Sequence, residues 1–265
     1  MKLTRIGGPT VLIEVDGWRL LVDPTFDPAG RQYSFGWGTG STKTLDPAIT
    51  VGELGPIDVV LVSHDHHADN LDDAGRAMLP SAGAVITTTS GAGRLAAGLD
   101  ADRLHGLAPG ESVTLQGVRP GLPTLVITAT PCRHGPPLTR AIVGDVIGFA
   151  VRRQGETAVA IWVTGDTVPC EPLRRTAAAL DIDVMLANVG GVRFGVTGPL
   201  RFTMTGRDAV ELVAIAEPRV VAFAHYDGWS HFVDGERGLR DAIDGSAASV
   251  HDRVVWLADG IALEV

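Results

Sequence analysis

The chain is poor in cysteine, in basic residues and in long apolar runs, and each shortage removes a class of protein. Cys132 and Cys170 are its only thiols and have no C-x-x-C spacing, which argues against a thiolate zinc site and fits a reducing, cytoplasmic compartment. A single disulfide between them stays open; Cys132, close before His134, reads as a small buried apolar residue. No stretch approaches the roughly 20 apolar residues of a membrane span, and Val11-Leu12-Ile13 is cut short by Glu14 and Asp16, so no secretory signal is read. Lys and Arg number 22 against 31 Asp and Glu, for a net charge of −9. That balance, without a Lys/Arg-rich appendage, disfavours nucleic acid and anionic membrane as partners. A small-molecule substrate is the expected partner, and a homo-oligomer is compatible with the sequence.

Glycine and proline are plentiful instead, 33 and 16 in 265 residues, which implies many turns and tight loops. Hydrophobic content of 45% and charged content of 20% are those of a soluble globular enzyme. The length suffices for one large core, and residues 1–265 are read as a single domain.

Strands are predicted at Lys2–Arg5, Thr10–Val15 and Trp18–Val22, the last two joined by Asp16-Gly17, a hairpin signal. Residues 27–55, with Tyr33, Phe35 and Trp37, show little periodicity and read as a long ordered loop serving as lid or pocket wall. Later strands, among them Ala84–Thr88, Leu125–Thr130, Thr157–Val163, Val220–Ala224 and Val254–Leu257, are interspersed with helices. One of these helices is capped by Ser90, and one is opened by the capping-box pair Thr205 and Asp208. Hairpins early and strand–helix alternation later predict an α+β, αββα arrangement: two mixed sheets packed face to face as a sandwich, with helices on the outer faces.

The most informative stretch is Ser63-His64-Asp65-His66-His67-Ala68-Asp69-Asn70, directly after the apolar Val59-Val60-Leu61-Val62. A strand that delivers imidazoles and carboxylates into a short loop builds a coordination shell for zinc, iron or manganese. The plainer alternative is a polar loop that caps the next helix, a role Asp72 fills by itself; clustered histidines repel when charged and make poor surface filler. His134, Asp166 and His225 also follow apolar strands. Each alone has an ordinary loop explanation, but strand ends of one sheet system converge on one edge.

Taken in order, Ile6-Gly7-Gly8, Leu20-Leu21-Val22-Asp23-Pro24, Ser63-His64-Asp65-His66, Thr130-Pro131 with His134-Gly135, Thr164-Gly165-Asp166-Thr167, Met204-Thr205 with Asp208, and Ala224-His225-Tyr226 resemble the metallo-β-lactamase-fold hydrolases. The resemblance is strongest to the branch that includes ascorbate-6-phosphate lactonase. It implies one or two metal ions, zinc with manganese or iron as alternatives, at the edge between the sheets. By position His64, one of His66 and His67, and His134 would hold the first ion. Asp69 and His225 would hold the second, with Asp166 bridging. The family pattern H-x-H-x-D-H is lengthened here by one residue. His67 keeps the H-x-D spacing to Asp69 and is preferred to His66, while a shift starting earlier would put Asp65 in the place of His64. Asn70 stands where the final histidine belongs, and an amide oxygen is a poorer zinc ligand than imidazole.

The activity implied is metal-dependent hydrolysis of a small ester, lactone or phosphodiester by a metal-bound hydroxide, with Asp69, His67 and Asp166 in the catalytic roles. Asn70, Asp23, Tyr226, His231 and Asn188 are candidates for substrate contact or support of the ligands, and Arg133 for an anionic group or a surface ion pair. His105 and His251 are read as unrelated. The competing class is a fold-retaining, non-catalytic metal- or ligand-binding protein with a degraded second metal site; di-iron chemistry ranks last.

Overall fold

The computed structural model describes residues 1–36, 38–117, 119–137, 139 and 143–265; Trp37 lies outside them. The chain opens as a meander of β1 (Lys2–Gly7), β2 (Thr10–Val15) and β3 (Trp18–Val22), with the predicted turn at Asp16-Gly17 in the left-handed region. Strands β6 (Val59–Leu61), β7 (Ala84–Thr88) and β8 (Leu104–Leu107) then add in parallel, and β15 (Leu263–Glu264) closes the other edge. The sheet order is β15-β1-β2-β3-β6-β7-β8. The second sheet repeats this plan. Strands β9 (Ser112–Leu115), β10 (Leu125–Pro131), β11 (Ile147–Arg153) and β12 (Val159–Val163) run antiparallel, followed by parallel β13 (Ile182–Asn188) and β14 (Val220–Ala224).

Strand alternation divides the apolar residues between three layers. Leu20, Val22, Val59 and Leu61 of the first sheet meet Ile127, Phe149, Ile161 and Val184 of the second in the central core. Their neighbours Leu21, Val60 and Val62 face outward and pack with Leu54, Met78 and Leu95. Those three belong to α1 (Val51–Leu54), α2 (Asp73–Met78) and α3 (Thr89–Leu95). On the opposite outer face Trp162, Met185 and Phe223 pack against α4 (Glu171–Ala179), α5 (Gly206–Ala216) and α6 (Gly235–Asp244). The short α7 (Ala248–His251) follows. This is the expected αββα sandwich, and among the described residues no helix is long and apolar enough to cross a membrane. Both cysteines are free.

Several local expectations are corrected. Residues 27–55 are not a structureless loop: they hold the hairpin β4 (Gln32–Gly36) and β5 (Thr39–Thr42), then α1. The half-exposed alternation of β4 and its bulge blur the periodicity. Thr88, not Ser90, caps α3, its hydroxyl accepting from Gly91 N at 2.9 Å. Val254–Leu257 forms no strand; Val254 makes only an isolated bridge to Val221.

One buried ion pair ties the β4–β5 hairpin to the loop after β6. Asp72 caps α2 by accepting from Gly75 N at 2.8 Å, and its other oxygen accepts from Asp27 N at 2.7 Å and Lys43 Nζ at 3.1 Å. Both partners are almost fully enclosed, and burial lowers the Lys43 pKa despite the neighbouring carboxylate. Removing one side leaves a buried, unpaired charge. Asp72→Ala is therefore expected to lower unfolding free energy by about 3–5 kcal/mol in urea denaturation; a loss below about 1 kcal/mol, the worth of a surface pair, would show that the bridge does not hold the hairpin.

Candidate metal centre

The site lies where strand ends of both sheets meet. The loop leaving β6 supplies His64, His67 and Asp69, the loop after β10 supplies His134, the turn after β12 supplies Asp166, and the residue after β14 is His225. All six side chains are buried. Two of the sheet exits are strained: Asp23 and His225 hold φ of 39° and 64°, in the left-handed region that non-glycine residues seldom adopt. Such strain costs on the order of 1–3 kcal/mol and persists where surrounding structure enforces it. Here His225 N donates to Gly8 O at 2.8 Å, which ties the last site strand to the first turn of the chain.

The side chains fall into two donor groups, His64 with His67 and His134, and Asp69 with Asp166 and His225. In the first, His67 Nδ1 stands 3.3 Å from both His64 Nε2 and His134 Nε2. The outer ring nitrogens decide which inner ones carry protons. His134 Nδ1 lies 2.9 Å from Phe202 O, a carbonyl that can only accept, so the proton is on Nδ1 and Nε2 is a bare lone pair. His225 Nδ1 likewise donates to Val189 O at 3.0 Å. Ser63 Oγ donates to Asp23 Oδ2 at 2.8 Å and so accepts from His64 Nδ1 at 3.0 Å, which leaves His64 Nε2 bare as well.

Lone pairs facing lone pairs repel. His225 Nε2 is 3.1 Å from Asp166 Oδ2 and 3.4 Å from Asp69 Oδ2, yet His225 Nε2, Asp166 Oδ2 and Asp69 Oδ1 are all buried without a hydrogen-bond partner. Native interiors rarely tolerate such orphans. A cation satisfies them together, and the spacing agrees: donors on 2.0–2.1 Å arms around tetrahedral zinc stand about 3.3–3.4 Å apart. The residues present thus fit a divalent metal.

The electrostatics prepare the groups for that role. Burial drives the His64 and His134 pKa values down, and burial with the charge of His134 lowers His67 to about 4. Burial alone would raise Asp69 and Asp166, but His231 and His225 hold Asp69, and His225 holds Asp166, below the ordinary carboxylate range. His225 is pushed up by the same two carboxylates, against its own burial. Asp23, desolvated and repelled by Asp166, is raised to about 7.

Of the two histidines left open by the sequence, only His67 enters a donor group. His66 lies outside both: its ring packs against Gly144 and its Nδ1 faces Asp65 and Arg94. Asp65 takes a two-pronged bond from Arg94 at 2.9 and 2.6 Å and does not replace His64. After His67 the chain turns, with Asn70 N and Leu71 N both donating to His67 O. Tyr226 is also corrected. It belongs to the outer core of the second sheet beneath Arg5. Arg133 faces away, donating to Pro169 O at 2.8 Å.

Asn188 Nδ2 donates to Asp166 Oδ1 at 2.9 Å. Asn70 Nδ2 turns toward Asp23 Oδ2 at 3.2 Å and Ser63 Oγ at 3.4 Å. The imidazole that does reach Asp69 is His231, with Nε2 at 2.9 Å from Asp69 Oδ2 and Nδ1 at 2.6 Å from Ser41 Oγ. Sequence reasoning missed Ser41 and Ser63; Ser63, adjoining His64 in the motif, was the detectable one.

A cavity of about 240 Å³ opens over His67, Asp69, His134 and His231. Its remaining wall is Phe35, Thr39, Thr139, Val143, Val192, Phe194, Val196, Thr197, Leu200 and Phe202.

A family model described as the Beta-lactamase superfamily domain matches residues 18–226. A UPF0173 metal-dependent hydrolase from Salinibacter ruber is 28% identical over 244 residues, 92% of either chain. The crystal structure of an isothiocyanate hydrolase from Delia radicum gut bacteria superposes with a TM-score of 0.80 at 20% identity, covering 100% of this chain and 99% of that one. A metallo hydrolase from the archaeon Ignicoccus hospitalis gives 0.71 at 19% identity, with 100% and 98% covered. With its sandwich of two sheets and its buried His/Asp donors at their shared edge, the chain belongs to the β-lactamase superfamily, alongside relatives that are metal-dependent hydrolases.

Proposed function

We propose that the chain hydrolyses a small ester, lactone or phosphodiester with metal-activated water, His64, His67 and His134 holding one cation and Asp69, Asp166 and His225 a second. The observation that carries this reading is the meeting of bare imidazole nitrogens and orphaned carboxylate oxygens in two buried groups, of which His67, Asp69 and His134 line a cavity. Imidazoles suit zinc or iron, and the carboxylate-rich second group accepts a harder ion such as manganese. A bound zinc lowers the pKa of its water from about 15.7 to about 7 and polarises the bond to be cut.

The chain's own residues then orient and transfer protons. Asp69 Oδ2 is fixed by His231, which leaves Oδ1 without a partner and free to accept a proton from the attacking water. Asn188 restrains Asp166 through Oδ1 and leaves Oδ2 for the cation. Asp23 acts through Ser63 to keep His64 in the tautomer with a bare Nε2, the outer support that metal-binding histidines require. In the reaction the water oxygen bonds to the acyl carbon or phosphorus, the bond to the leaving oxygen breaks, and the proton held at Asp69 passes to that oxygen.

Protein purified without chelator is expected to contain stoichiometric metal and to hydrolyse members of an ester, lactone and phosphodiester panel. Asp69→Ala should reduce kcat by about 10²–10⁴, and His134→Ala should reduce metal content measured by elemental analysis. Full activity in the Asp69 variant would remove its assigned role, and metal-loaded protein inert toward the whole panel would favour a binding function.

The neutral histidines also set an acid limit for metal-free protein. His67 stays unprotonated when folded down to about pH 4, whereas unfolded it gains a proton below 6.5. Its contribution is thus fully favourable above 6.5 and is lost as pH falls from there toward 4. Between pH 7 and 5 this amounts to about 2 kcal/mol. His67→Gln, compared with wild type in urea melts of chelator-treated protein, should lose that much less stability on acidification; identical pH slopes would place the titration elsewhere.

A further inference from the structure

The cavity over the donors has walls that define a substrate class. Three loops build it: the β4–β5 hairpin brings Phe35, the segment after β10 brings Val143, and the segment after β13 brings Val192, Phe194 and Phe202. The rings sit directly on the imidazoles. Phe35 lies 5.1 Å from His67, Phe202 6.0 Å from His134, and Phe194 stacks on His231 at 5.2 Å with planes 11° apart. Phe194 in turn meets Phe35 and Phe202 edge-on at 6.0 and 5.7 Å. Any group that fills this cavity therefore lies against aromatic surface.

Charge points the same way. Among the described residues lining the cavity there is no Lys or Arg, and Asp69 is the one carboxylate. An anionic substituent held against the aromatic wall, away from the donors, would be desolvated there with no Lys or Arg among the described lining residues beside it, an expensive arrangement. At the rim, Val196 and Leu200 are 68% and 43% exposed, apolar surface that a ligand filling the mouth would cover. The volume of about 240 Å³ corresponds to roughly eight waters at 30 Å³ each, room for a compact ring with an ester.

We propose that the substrate is an uncharged carboxylic ester or lactone whose aromatic or branched aliphatic group is held among Phe35, Phe194 and Phe202, and that substrates with an anionic substituent on that group are excluded. This rests on the hydrolytic reading above and narrows it.

The test compares zinc-loaded protein on 4-nitrophenyl butyrate, on the same ester with a terminal carboxylate on the acyl chain, and on bis(4-nitrophenyl) phosphate. The neutral ester should exceed both anions in kcat/KM by 100-fold or more. Leu200→Lys, at an exposed position that the fold does not need, should lower kcat/KM for the neutral ester about 10-fold and shrink its preference over the carboxylate ester. Binding is read separately by calorimetry with benzohydroxamic acid and its 4-sulfonate. The neutral compound should bind at least 10-fold more tightly in wild type and lose that advantage in Leu200→Lys. Equal or better turnover of either anion, or equal hydroxamate affinities, overturns the proposal. Absence of turnover on all three substrates with the hydroxamate preference intact instead counts against the hydrolytic reading and leaves the apolar specificity supported.

Discussion

The structure depends on a buried concentration of donor atoms that the hydrogen bonds of the protein leave unsatisfied. His64 and His134 each donate their outer N–H to a fixed acceptor, so their inner nitrogens face neighbours as lone pairs. A chain folding around such a nest gains nothing from it in isolation: the imidazoles are desolvated, the carboxylates more so, and the hydrogen bonds that would redeem them are missing. The fold carries this burden because the central core between the sheets and the two outer layers are continuous and fully apolar. The site is confined to their edge, where strands end and side chains may converge without interrupting the ladders.

Holding the donors together requires backbone conformations that no single strand would choose. Asp23 and His225 leave their strands through positive φ, and each is locked by a bond to the other half of the molecule or to the neighbouring loop. His225 N reaches Gly8 O, while Asp23 takes Ser63 N at 2.6 Å and Ser63 Oγ at 2.8 Å. Of these bonds, His225 N to Gly8 O joins the two sheets at the site, while those between Asp23 and Ser63 join neighbouring strand ends of the first sheet.

Much of this was legible in the sequence, for a physical reason. Apolar strands followed at once by His or Asp are conspicuous, and strands of one sandwich expose their ends along one edge, so His64, His134, Asp166 and His225 could be picked out and brought together before any coordinates. Spacing back from Asp69 favours His67 over His66, and in the structure His67 enters a donor group while His66 faces Asp65 and Arg94. Tyr226 was misjudged because nearness in sequence suggested nearness in space, whereas the chain turns at the positive φ of His225 and Tyr226 packs in the outer core of the second sheet. The cavity walls were the least legible part. Phe35 was recognisable as a wall in an aperiodic stretch, but Phe194 and Phe202 lie far along the chain in a segment with no motif, and only folding brings them over the imidazoles.

Asn70 shows how a departure from a family pattern can be accommodated. An imidazole at this position would offer one nitrogen inward to a cation and the other outward to a carboxylate. The asparagine keeps the outward half: its amide donates to Asp23 and Ser63, the same relay that orients His64. What is lost is the inward nitrogen, and in that region Asp69 is approached instead by His231, carried on a different loop and buttressed by Ser41 of the β4–β5 hairpin. The hairpin therefore has two duties. Through Ser41 it supports the imidazole beside Asp69, and through Phe35 it forms the apolar wall above His67. The buried Lys43–Asp72 pair next to it fastens both to the start of α2, so that one support of the polar floor and one part of the aromatic wall are set by the same element.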